Sequence, residues 1–176
     1  MTGVAAPFVK MAQNNAYANA TLYTALLGLS AEAFTAPRPG FFGSLARTLN
    51  HIHEVDLYYL DAVEEGGRGL SVFQRAQEPD LRVLATGVAG ADGRLIAFCK
   101  RLDFGRLAHR VAIERQGRFV HETVEDVLLH LFQHQIHHRG QAHVQAQDVG
   151  IAPPQLDEFH LENGRAPMAR AILEKG

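Results

Sequence analysis

Apolar residues recur at helical spacing over four stretches of the chain. In the first, residues 7–29, the positions Phe8, Met11, Ala12, Leu22, Leu26 and Leu29 share one side. Ser30 and then Pro37-Arg38-Pro39-Gly40 end that pattern. The second opens after Ser44, a capping residue, and stops at Gly66-Gly67, with Leu45, Leu49, Ile52, Tyr59 and Val63 as its buried stripe. The third lies within residues 80–101, on Leu81, Leu84, Val88, Leu95 and Phe98. Gly87, Gly90 and Gly93 weaken it, at about 1 kcal/mol each against alanine, unless small residues there let helices pack closely. Between residues 108 and 122 the period changes to two. Val111 and Ile113 alternate with polar neighbours, Arg115-Gln116-Gly117 reads as a turn, and Phe119 and Val120 follow, which predicts a short β-hairpin. Thr123-Val124-Glu125-Asp126 then resembles a capping box opening a fourth helix that runs to Val149 and stops at Gly150, with Pro153-Pro154 beyond.

Four amphipathic helices bury their stripes against one another, so the pattern predicts an all-α four-helix bundle with a hairpin before the last long helix. The bundle spans residues 1–161, and residues 162–176 form a tail with one loose helix around 166–174. No internal repeat, low-complexity tract or linker suggests a second domain. The 176 residues suffice for a single core, and neither the 47% apolar nor the 20% charged fraction suggests disorder. A net charge of −2 without charge blocks gives no reason to expect nucleic acid or an anionic membrane as partner. Cys99, the single cysteine, excludes an internal disulfide and suits a reducing compartment. Lys10 follows the early apolar residues instead of preceding them, the wrong order for a secretory signal, and no run is long enough to span a membrane. The expectation is a cytoplasmic protein.

The chain holds ten histidines, five of them between His130 and His143. His130, His134 and His138 are four apart and lie on one helix face together with Val127 and Gln141, while Phe132 and Ile136 point elsewhere. Imidazoles at that spacing can converge on one divalent ion. Spacing leaves open whether His130–His134 or His134–His138 is the chelating pair. His51, at the edge of the second helix's stripe, is placed to add a third nitrogen, whereas His53 falls about 90° from the stripe's centre and is expected in solvent. His137 and His143 read as surface histidines or as supports of the site, and His109, His121 and His160 as exposed. Gln135, Ile136 and His137 stand where a zincin would carry its glutamate base, which excludes that class. Asp56 and Gln141 are candidates for orienting imidazoles, although Asp56 lies too far round the helix to reach His51 and should meet another helix. Arg139 fits either a bound anion or solvent. Cys99 fits core packing.

Phe41-Phe42-Gly43-Ser44 with Leu49-Asn50-His51 and Asp56 resembles the second-helix signature of the DinB family of bacterial proteins, and His130-Leu131-Phe132-Gln133-His134 with His137-His138-Arg139-Gly140-Gln141 resembles its fourth-helix signature. The ending Gly150-Ile151-Ala152-Pro153-Pro154 with Leu156-Asp157, and early Tyr17, Asn19 and Leu22, are similar to that family too. His53 stands where the family usually has an aliphatic residue. The resemblance covers about 8–161. It implies an up-down-down-up bundle, usually a homodimer, holding nickel or zinc with three histidines, here His51, His134 and His138. His130 then matches a histidine that is not a ligand. It also implies a transferase that uses a small thiol against an electrophile in detoxification or stress response. The residues themselves leave open a hydrolase acting through a metal-bound water, and a non-catalytic metal-binding stress protein.

Overall fold

The computed structural model describes residues 3–161 and 167–175. The long helices are α1 (Ala6–Leu26), α3 (Leu45–Glu64), α4 (Leu81–Cys99) and α6 (Val124–Asp148). The short helices are α2 (Ala31–Thr35), α5 (Phe104–Ala108) and α7 (Pro167–Lys175), and a 3₁₀ turn spans Gly69–Gln74. Among these elements, no helix is long and apolar enough to cross a membrane.

The boundaries have local chemical causes. Ser44 Oγ accepts from the Arg47 amide and Asp80 Oδ1 from the Arg82 and Val83 amides, so each satisfies donors that a helix start leaves free. Thr123 does the same for Asp126. The first helix stops at Leu26, three residues earlier than its apolar pattern suggests. Ser30 caps α2 instead, through the Ala33 amide. Strands β1 (Arg110–Arg115) and β2 (Arg118–Thr123) pair antiparallel, Val111 opposite Glu122 and Ile113 opposite Val120. Their two-residue turn, Gln116-Gly117, has both φ angles positive, as such a hairpin requires.

Helix α1 lies against α4, α4 against α3, α3 against α6, and α6 against α1. The core splits into two apolar halves. One gathers Phe8 and Val9, Tyr59 to Val63, Leu95, and Val124 to Phe132 with Val111 and Ile113 of the hairpin. The other gathers Leu22 and Leu26, Leu45 to Ile52, Leu81 to Val88, and Ala142 and Ala146. A buried polar layer separates them. It draws Asn15 and Asn19 from α1, His53 and Asp56 from α3, Asp92 from α4, and Gln135 and Arg139 from α6. Helix α7 adds Ala169 against Tyr17 and Leu161. Ala166 and the start of the tail lie outside the described residues.

Two expectations fail in this layer. His53 is 4% exposed, not solvated, because α3 is covered by α4 as well as α6. Gly87 of α4 makes the room: a Cβ there would stand 2.9 Å from His53 Nε2. Arg139 is 5% exposed, neither in solvent nor set out for an anion. It donates to Asn15 Oδ1 and, at 2.9 Å, to Asn19 Oδ1, and both asparagines donate onward to Asp92. A buried guanidinium is tolerated when its charge is matched and its donors find acceptors, and this relay balances the charge and engages Nη1.

Asp56 is the second carboxyl of the layer, and one cation does not neutralise two anions. Burial, then the charge of Asp92, pushes its pKa well above the usual value. Gln135 Nε2 donates to Asp56 Oδ1 at 2.9 Å, while Asp56 Oδ2 and Gln135 Oε1 find no partner. A proton on Asp56 supplies the donor that these acceptors lack and leaves Asp92, linked to Arg139 through the asparagines, to balance its charge. The folded chain therefore holds this proton to higher pH than the unfolded chain. Stability falls as pH rises through the window from about 4 upward, by at most about 1.4 kcal/mol per unit, until folded Asp56 ionises. Asp56→Asn offers the same donor without charge. Urea unfolding over that window should show wild type losing stability relative to the Asn variant, and parallel curves would contradict a protonated Asp56.

Candidate metal centre

Helices α3 and α6 run antiparallel, and a ladder of side chains fixes their register. Thr48 donates to Gln145 Oε1 at 2.8 Å and Gln135 to Asp56 at 2.9 Å, on either side of His51. Between those rungs His51 faces His134 and His138, which are stacked one helical turn apart. Ring centroids are 5.0 Å apart for His51 and His134, 4.7 Å for His51 and His138, and 4.4 Å for His134 and His138. One nitrogen from each can be chosen so that all three lie within 4.8 Å of one another.

The loop before α3 closes one side. Gln145 Nε2 donates to the Pro39 carbonyl at 3.1 Å, and Gly40 (φ 132°) passes so close that a Cβ would meet Nε2 at 2.7 Å. The clamp brings the Phe42 ring to 4.2 Å from His51 and 5.3 Å from His138. Neither Gln145 nor the packing of Phe42 on the histidines was evident from helical spacing, since both depend on loop geometry.

The electrostatics suit a cation. Burial, with His138 next, lowers His51 to about pKa 4. Burial and then the neighbouring imidazoles lower His134 to about 3. Both rings are thus neutral at physiological pH, the form that ligates. Their Nε2 atoms are 3.0 Å apart, a gap that the N–H of one tautomer bridges and that an ion held by both nitrogens would bridge in its place. His138 pairs its Nδ1 with Gln141 Oε1 at 2.9 Å, and Gln141 Nε2 pairs with His137 at 3.1 Å. With Nδ1 as donor, His138 keeps Nε2 bare for a ligand bond. No carboxylate is among the charges that shift His51, His134 or His130. Three half-buried imidazoles, clustered within ligating distance of one another, fit one divalent ion of borderline softness.

The model of the DinB family matches residues 2–169. The chain belongs to the DinB family. Two crystal structures are similar to it. A DinB-like protein of Bacillus cereus is 20% identical, covers 79% of this chain and 90% of its own, and has a TM-score of 0.61. A DinB-like protein of Bacillus subtilis is 21% identical, covers 82% and 94%, and has a TM-score of 0.60. Likeness at that identity establishes the shared fold. None of the curated proteins matches the chain significantly.

Within this DinB fold, the histidines outside the triad separate by position. His130 is exposed, 6.3 Å ring to ring from His134, against Tyr59. His137 is exposed, and His143 bonds the Pro154 carbonyl at 3.0 Å. His109, His121 and His160 are exposed. Gln141 supports a triad imidazole as its spacing suggested, whereas Asp56 meets Gln135 and touches no ligand ring through a hydrogen bond. Cys99 is buried, and burial raises its thiol pKa to about 12, which leaves it inert packing.

The purified protein should carry close to one divalent ion per chain. His51→Ala, His134→Ala and His138→Ala should each empty the site by elemental analysis, and His130→Ala should lower affinity less. Retention in the His138 variant with loss in the His130 variant would place the site one turn away. Protons compete for ring nitrogens, so occupancy falls as pH falls. With His51 and His134 depressed to about 4 and about 3, loss should centre clearly below the ordinary histidine value of about 6.5.

Proposed function

We propose that this protein is a metal-dependent transferase that moves the sulfur of a small thiol onto an electrophile. The observation that supports it is the donor set: the imidazoles of His51, His134 and His138, a cluster that no carboxylate joins among the described residues. A divalent ion held by these residues would supply Lewis acidity that favours the thiolate form of a thiol. His51, His134 and His138 would hold the ion, Gln141 would fix the imidazole of His138, and Phe42 would keep water from one side. The thiol proton leaves to solvent, so no base on the chain is required. A hydrolase, by contrast, profits from a positioned carboxylate base, and among the described residues no carboxylate joins the histidine cluster. Nickel or zinc is the ion this reading favours, a homodimer the assembly, and detoxification under stress the setting.

Metal-loaded protein should accelerate conjugation of a simple thiol to a model electrophile such as chlorodinitrobenzene, and His134→Ala should return the rate to the uncatalysed one. Hydrolysis of esters or amides without any thiol conjugation would replace this reading with the hydrolase. Neither activity over a broad panel would leave a metal-binding protein without catalysis.

A further inference from the structure

The histidine triad occupies only part of the seam between α3 and α6. One turn further along α6, the rings of His130 and Tyr59 meet at 5.2 Å. The Tyr59 hydroxyl accepts from Arg115 at 2.6 Å. Arg115 ends β1, and the strand is pinned where the Tyr58 hydroxyl donates to the Glu114 carbonyl at 2.8 Å. The guanidinium is exposed and, among the described residues, forms no ion pair with a carboxylate. Its charge nonetheless acts on His130 and on Tyr59.

Two features stand together here. Arg115 lies on the seam that also bears the triad, and no carboxylate among the described residues pairs with its guanidinium. Arg115 is held there by a phenol that occupies only one donor of its fork. The remaining donors match a carboxylate in two-point fashion. We propose that Arg115, positioned by Tyr59, is the subsite for the carboxylate of a small molecule whose other end reaches the triad. That the other end is a thiol rests on the reading above; the anion subsite itself does not. Tyr59 follows His51 by two turns, which is about 12 Å along α3. The class of ligand is therefore a thiol with its carboxylate on the order of 10 Å from sulfur, the span of a small peptide.

Cobalt-loaded protein tests this by binding alone. Mercaptooctanoate and mercaptooctanol share a chain and differ in the terminal charge, and both can be titrated against the sulfur-to-metal absorption bands. The acid should bind about tenfold tighter, which is about 1.4 kcal/mol. Arg115→Gln should erase the difference while cobalt content and the affinity for the alcohol stay unchanged, and Arg115→Lys should keep part of it. Mercaptopropionate, too short to span, should show no preference over its alcohol. Equal affinities for the long pair in wild type, or a preference that survives in Arg115→Gln, would overturn the proposal. If neither thiol produces the bands, the thiol reading fails, and the subsite is decided by azelate against nonanoate, with a carboxylate in place of sulfur at the cobalt end. A preference for the diacid that depends on Arg115 upholds the subsite, and equal binding overturns it.

Discussion

The register of α3 against α6 is the constraint on which the rest depends. As the chain advances along α3 from Thr48 through His51 and Asp56 to Tyr59, its partners shift back along α6 from Gln145, through the turn that holds His138, Gln135 and His134, to His130. A displacement of α3 by one residue would rotate its contact face by about 100° and remove His51 from the triad. Apolar stripes alone tolerate such slips, because oil packs against oil in several ways. The hydrogen bonds at Thr48 and Asp56 do not, since each leaves a buried polar group unmatched when it is broken.

The Asp56 rung belongs to a polar layer that crosses the bundle between two apolar halves. Such a layer is costly by desolvation and gives specificity in return through the members that are partnered. Here Arg139 engages Asn15 and Asn19, these engage Asp92, and Gln135 engages Asp56. The layer ties α1, α4 and α6 together at the level where the histidines meet. The triad thus sits on long helices whose lateral positions are already set, which is how a site keeps its shape while its ligands are few.

Periodicity made the four long helices readable, and turn chemistry made the hairpin readable, because Gln116-Gly117 has few other uses between alternating strands. Local caps could have revealed α2 and α5, as Ser30 and Asp103 both precede short helical runs. The burial of His53 and Arg139 was not readable, because it depends on partners from other helices, Gly87 in one case and two asparagines in the other. At the site, i and i+4 spacing placed His130, His134 and His138 on one face but could not choose among them. The choice required knowing where α3 crosses, and that crossing is a tertiary fact. Phe42 and Gln145 escaped for the same reason.

The most direct measurement of the central claim is the location of the metal in a crystal. Diffraction from nickel- or zinc-loaded protein, collected on either side of the metal's absorption edge, should give one anomalous peak about 2.1 Å from a ring nitrogen of His51, His134 and His138. A peak on His130, His137 or His143 instead, or a loaded crystal without density among those three rings, would contradict the account.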